Sequence, residues 1–241
     1  LPTVAFVSPK GGAGKTTAAL LLALGLSDRG LRVAMIDADP NKPLLHWASL
    51  AGRPKLISVH AAPTEADYPD ALREARAAKP DWIVLDTEGS PRQGIAFAQA
   101  QPDLVLTPLA SSTLEALQAL KAAEMVRDAS RRLRRKVAHA CLLTRLPAAI
   151  RPRSLKQVIE QLRAHDIAIL PTVIIEKDAF RALFALGGGL SDLERSGVYG
   201  VGAAKINAAS YVDAVIDLME GEGLATGRSG GESFAAQPAR V

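Results

Sequence analysis

The stretch from Lys10 to Thr17, reading Lys-Gly-Gly-Ala-Gly-Lys-Thr-Thr, constrains this chain more than any other. An apolar run, Val4-Ala5-Phe6-Val7, precedes it, and a second, Ala18 to Leu24, follows. The order is strand, glycine loop, helix. Glycines lacking Cβ let successive backbone N–H groups converge on one anion, and a helix N-terminus adds partial positive charge. The pattern therefore predicts a phosphate cradle built from Gly11, Gly12, Ala13, Gly14, Lys15, Thr16 and Thr17. In such a cradle Lys15 reaches the β- and γ-phosphates and the Thr16 hydroxyl holds Mg²⁺.

Carboxylates follow at two further strand ends. A second strand, Leu31 to Ile36, delivers Asp37-Ala38-Asp39-Pro40. Read alone this is an ordinary turn, but its place directly after that strand makes it a candidate for chemistry. Anion beside phosphate is unfavourable without a metal or water between them, so Asp37 is expected to support Mg²⁺ and its waters. A third strand, Pro80-Asp81-Trp82-Ile83-Val84-Leu85-Asp86-Thr87, ends in Asp86, expected to reach the same ion directly or through water. Apolar strands alternate with amphipathic helices throughout. The fold expected is α/β: a doubly wound, mostly parallel sheet flanked by helices, with the three motifs sharing one site.

The common Walker A form asks for Gly where this chain has Pro9, and a second lysine, Lys10, stands before the double glycine. In this deviant Walker A motif the chain resembles the ParA and MinD family of P-loop ATPases. The resemblance implies that Lys10 acts across a dimer interface on nucleotide held by the partner subunit, and Lys15 in cis. It further implies that Asp39 positions the attacking water, and that Thr144, Arg145 and Pro147 border the adenine. ATP as nucleotide, an ATP-sandwich homodimer, non-specific DNA and a ParB-like or other activating adaptor also follow from it, with hydrolysis weak until activated. The resemblance covers Val4 to about Met219. The expected type is a small ParA lacking an N-terminal helix-turn-helix. Asp-Ala-Asp-Pro-Asn-Lys-Pro-Leu with Trp47, and Glu-Lys-Asp-Ala-Phe further on, look most like the VirC-type subgroup. Glu88 departs from the family's Asp-Thr-Pro-Pro form.

Three functions are weighed on these grounds. The first is partition or positioning of a DNA or protein cargo. The second is an accessory DNA-binding factor recruiting a relaxase complex for DNA transfer. The third is a MinD-like regulator at a membrane. A net charge of +4 and a pI near 9.3 permit nucleic-acid binding. The densest basic cluster is Arg131, Arg132, Arg134, Arg135 and Lys136; a solvated helix end meeting the helix dipole accounts for one or two arginines there. Lys177 and Arg181 are further DNA candidates, on the resemblance. Asp213, Asp217 and Glu220 on the last helix, about Ala204 to Met219, oppose an anionic leaflet, so no membrane partner is expected.

The 241 residues suit one ATPase domain, 1–220, with a flexible Gly-, Ser- and Ala-rich tail over 221–241. A lone cysteine, Cys141, excludes a disulfide framework and a cysteine-based metal site within the chain, and reads as a buried strand residue. No run is apolar enough for a membrane span and no cleavable signal is expected. The expected location is the cytoplasm, with nucleoid association in the ATP state. His46 reads as a helix-surface residue, and Gly187-Gly188-Gly189, without a following Lys-Ser/Thr, as a flexible segment rather than a second phosphate loop.

Overall fold

A sheet of parallel strands organises the molecule: β1 (Thr3–Phe6), β2 (Val33–Ala38), β3 (Ile57–Ala61), β4 (Trp82–Thr87), β5 (Leu104–Leu109), β6 (Ala138–Leu146) and β7 (Ala168–Ile175). Their spatial order is β3-β2-β4-β1-β5-β6-β7, and every neighbouring pair is parallel. The computed structural model describes residues 1–8, 11–88, 100–110, 112–146 and 153–221. The helices described are α1 (Lys15–Asp28), α2 (Pro43–Ser49), α3 (Tyr68–Ala77), α4 (Thr113–Leu133), α5 (Arg153–Ala164), α6 (Asp178–Leu186), α7 (Leu190–Arg195) and α8 (Val201–Gly221).

Alternation along each strand divides the core between the two faces. Val4 and Phe6 of β1 pack under α1, α2, α6, α7 and α8, whereas Ala5 and Val7 face the layer holding α3. Leu109, Cys141 and Leu143 meet α4 and α5 in a third cluster. The strands read as continuous apolar runs because helices cover both faces. Helix α1 is buried nearly all round, from Ala18 to Leu24, and shows no polar stripe. It lies between the sheet and α8, whose buried Tyr211 hydroxyl donates to the Ala18 carbonyl at 3.2 Å. Burial pushes the Cys141 thiol up to about 12, so it stays an inert strand residue as expected.

The first helix falls where the sequence places it; several strands run longer. β2 extends past Ile36 through Asp37 to Ala38. β5 continues through Pro108 because its missing N–H faces β1, and β1 ends at Phe6. Leu106 accepts there from the Val7 amide at 3.0 Å, and two residues on no ladder partner is lost. β7 likewise runs through Pro171 at the sheet edge. Asn207 of α8 takes the place of a further strand: its side chain accepts from the Ile175 amide at 2.9 Å and donates to the Val173 carbonyl at 2.7 Å. That edge is thereby closed to pairing.

Gly187 and Gly188 are packed rather than free, which corrects the flexible reading. Gly187 (φ +78°) ends α6, and a Cβ on it would lie 2.6 Å from the Ala51 carbonyl oxygen. The Gly188 carbonyl accepts from the Trp47 indole at 3.0 Å, so this turn seats α2 against α6.

Candidate functional site

The site lies where β1, β2, β4, β6 and β7 end, all at one edge of the sheet because the strands are parallel. Gly12 (φ +81°) and Gly14 (φ +86°) take left-handed backbone that side chains resist, and Gly14 caps the N-terminus of α1. The end of β6 braces this loop. Thr144 Oγ1 donates to the Ala13 carbonyl at 2.8 Å, and the Arg145 guanidinium donates to the Gly12 carbonyl at 2.7 Å. Both contacts occupy loop carbonyls and leave the loop N–H groups to a ligand.

Lys15 is 7% exposed. Burial lowers its pKa, while Asp86, Asp39 and Glu88 oppose that shift by their negative charge. Asp86 is fully buried and neither carboxylate oxygen has a hydrogen-bond partner. Burial pushes its pKa up to about 7; the Thr16 hydroxyl and Lys15 temper the rise from nearby, without closing a hydrogen bond, while Asp37 and Asp39 add to it. An orphaned buried carboxylate beside a threonine hydroxyl and a lysine fits a hard cation bridged to phosphate. Among the described residues no cluster of three or more carboxylate, imidazole or thiol groups is disposed to hold a metal alone. Mg²⁺ at such sites keeps one or two protein ligands and takes the rest from phosphate and water, so Thr16 and Asp86 suffice.

Asp37 has hydrogen-bond partners of its own. It is the register partner of Asp86 across β2 and β4 and is equally buried. Its carboxylate accepts from the amides of Leu44 (2.8 Å), Leu45 (3.0 Å) and Asp39 (3.3 Å). Asp37 thus holds the first turn of α2 and the backbone of the acidic loop. Burial raises its pKa and these amides pull it back. Asp39 lines the open cleft, with Oδ1 fixed by the Asn41 amide at 2.8 Å.

The cleft over the glycine loop has a volume of about 360 Å³. Thr144, Arg145, Lys177 and Arg181 border it. Ile174, Phe180 and Phe184 form an apolar wall that the sequence reading missed; the i, i+4 pair of phenylalanines directly after β7 was the available signal. Glu176 sits between two guanidiniums, 3.7 Å from Arg145 and in contact with Arg181, which also pairs with Asp178 at 2.6 Å. Lys10 and Pro147 lie outside the described residues.

The basic cluster at the end of α4 sits at the opposite sheet edge and is divided in use. Arg135 is drawn inward onto Asp103 (3.1 Å) and the carbonyls of Pro102 (2.8 Å) and Gln101. Arg131 pairs with Asp128, and Arg132 and Arg134 are exposed. Lys136 lines a separate cleft.

A parallel sheet with a glycine-loop cradle, a buried carboxylate beneath it and an acidic loop beside it defines a P-loop nucleoside-triphosphate-binding protein. The VirC1 protein family matches residues 1–220. A curated relative, Protein ParA of Rhizobium radiobacter, is 30% identical over 219 residues, covering 91% of this chain and 98% of its own. Protein virC1 of the same organism is 31% identical over 186 residues, covering 74% and 78%. Among solved structures, the septum site-determining protein MinD complexed with Mg-ADP, from Pyrococcus horikoshii, superposes with a TM-score of 0.65 at 17% identity, covering 90% of this chain and 96% of its own. The chain belongs to the VirC1 family and is related to ParA.

Proposed function

We propose that this protein is a Mg²⁺-dependent ATPase that closes as an ATP-sandwich dimer, binds DNA without sequence preference in that state, and uses hydrolysis to position a DNA or protein cargo. The observation that carries the nucleotide reading is the buried, unpartnered Asp86 carboxylate beneath Lys15 and Thr16. The loop N–H groups and Lys15 bind and orient the triphosphate. Thr16 and Asp86 would hold Mg²⁺, which would supply charge neutralisation at the phosphate oxygens. Asp39, on the cleft wall, holds the attacking water in line. Lys10 reaches the nucleotide of the partner subunit, so assembly and turnover are coupled. ADP and phosphate then fit the paired state less well, which makes hydrolysis a timer. A ParB-like or other adaptor accelerates it.

Lys177 and Arg181 border the nucleotide cleft, which suits them to nucleotide-gated DNA contact. The pairs that hold Arg181 are on the surface and weak, so exchanging them for backbone phosphate costs little. The match to VirC1 relatives favours a second reading, an accessory factor that recruits a DNA-transfer complex. A membrane-bound regulator is disfavoured by Asp213 and Asp217 on α8; among the described residues no helix is long and apolar enough to cross a membrane.

Fluorescence anisotropy with random-sequence and single-site duplexes, with and without ATP, separates the readings. ATP-dependent, salt-sensitive binding to any sequence supports the first. Sequence-confined binding that ignores ATP supports the second. Sizing of Asp39→Ala with ATP tests the dimer: a monomer that binds ATP normally would reject it.

A further inference from the structure

We propose that a second cleft, at the sheet edge opposite the glycine loop, binds a phosphate group. It has a volume of about 540 Å³ and forms where the end of α4, the start of β6 and the turn between α5 and β7 meet. Arg127, Arg131, Lys136 and His165 line it, with His139 in its wall and Asp166 the one carboxylate among its described lining. Val126 and Ile167 give it an apolar floor, which keeps water from screening the charges above.

Two features separate this cleft from an ordinary basic surface. The neighbouring Arg135 is neutralised in place by Asp103 and two carbonyls, so the fold supplies counter-groups where a cation serves structure. Arg127 has no such counter-group among the described residues. The half-buried His139 shares the cleft with it, its Nε2 2.9 Å from the Thr107 hydroxyl. Among the described residues Arg131 pairs with Asp128, one turn back on α4, an exposed contact that a phosphate readily displaces. Guanidinium, ammonium and imidazole groups converging from three elements on a concave surface are the complement of a phosphate dianion or diester.

His139 in this cleft and Arg145 at the glycine loop lie on the same strand, β6, which puts the two sites roughly 20 Å apart. Protomers joined through the nucleotide edge would leave it facing outward on both. Its occupancy is therefore independent of ATP, unlike the DNA contact proposed for Lys177 and Arg181. The phosphate belongs either to a nucleic-acid backbone or to a free phosphorylated compound. Only the first source draws on the DNA-binding reading above.

The experiment uses the full chain loaded with ADP, so that the glycine loop is filled. Inorganic phosphate and a random duplex are titrated separately while imidazole resonances are followed by NMR. The chain has four histidines, and His46 and His60 lie elsewhere and act as internal controls. Saturable shifts confined to His139 and His165 are expected. Response to the duplex alone assigns a nucleic-acid backbone; response to inorganic phosphate, with competition between the two, assigns a general phosphate site. The double variant Arg127→Gln/Lys136→Gln should weaken binding at least about tenfold and, for DNA, flatten the log–log salt dependence by about two. Absence of shifts with both probes, equal shifts at all four histidines, or unaltered binding by the double variant overturns the proposal. Failure of ATP-gated DNA binding leaves it standing, because the phosphate arm needs neither ATP nor DNA.

Discussion

Asp37 and Asp86 face each other across β2 and β4, both without solvent access, yet only Asp37 has hydrogen-bond partners. The same side chain at the same depth thus does two jobs. Asp37 ties down an adjoining helix, and Asp86 is left with unspent acceptors facing Lys15 and Thr16. The substitution Asp86→Asn is expected to abolish Mg²⁺-dependent turnover while leaving the fold intact. Phosphate release measured with and without Mg²⁺ checks this, and Mg²⁺-stimulated hydrolysis by the variant would remove Asp86 from the metal site.

Asp37→Ala should act on stability first. It leaves the amides of Leu44 and Leu45 without their acceptor at the start of α2, a loss of about 1–3 kcal/mol. Denaturant titration should show the drop. The Mg²⁺ affinity of the nucleotide-loaded variant should change far less than in Asp86→Asn. An equal loss of Mg²⁺ affinity in both would restore Asp37 to the metal site.

Two buried groups give the ligand-free protein opposed pH dependences. The Asp86 pKa is raised from 3.8 to about 7, so its folded state holds the proton more tightly. The stability it contributes is full below 3.8 and is lost as pH rises through about 7. The His139 pKa is lowered from 6.5 to about 4, chiefly by burial and then by Arg127, so its contribution is full above 6.5 and is lost as pH falls through about 4. The two slopes oppose each other over most of the acidic range. Asp86→Asn removes one of them. Relative to wild type it should gain stability at pH 8 and lose it more steeply toward pH 4, by an amount on the order of a few kcal/mol. Thermal melts across pH measure this, and parallel curves for the two proteins would contradict it.

The bracing of the glycine loop predicts an effect on affinity. Arg145→Ala removes the donor to the Gly12 carbonyl from a half-exposed side chain, and nucleotide affinity should fall about tenfold or somewhat less. Thr144→Val strips a buried acceptor, the Ala13 carbonyl, and should cost about 1–3 kcal/mol of loop stability as well. Calorimetric titration with ADP tests both. Arg145→Lys should recover part of the affinity if the contact is the cause.

Much of this was legible because local signals and tertiary demands agree. The phosphate loop, α1 and the strand ending in Asp86 depend on apolar pattern and glycine spacing alone. The sequence is silent where one side chain has a second occupation. A carboxylate after a strand reads as a metal ligand, and nothing local shows that Asp37 also accepts from the amides of the next helix. Arg135 counts as one more charge in a basic run, and Asp103, distant in sequence, is beside it only in the fold. Pro108 and Pro171 look like strand ends, yet each sits where no ladder partner is lost, a matter of neighbours and not of the segment itself. Phe180 and Phe184 carry no local mark of a cleft wall, and their place there depends on how α6 docks.

The contact between α1 and α8 sets a further expectation. Gly25 lies in α1 with Val212 of α8 against it, so close that a Cβ on Gly25 would fall 2.5 Å from Val212 Cγ2 and 3.2 Å from its Cβ. Ala is the better helix former by about 1 kcal/mol, so helix propensity alone favours Gly25→Ala. The clash opposes it: Val212 is β-branched, fully buried and unable to swing away. Overpacking of this kind costs about 1–3 kcal/mol, and the balance should be destabilising. α1 begins at Lys15, so displacing it from α8 should also weaken nucleotide binding at the other end of the helix. Val212→Ala makes the room the added methyl needs, and the double variant should regain stability relative to Gly25→Ala alone. Additive losses in that double-mutant cycle would show that the two residues do not meet as described.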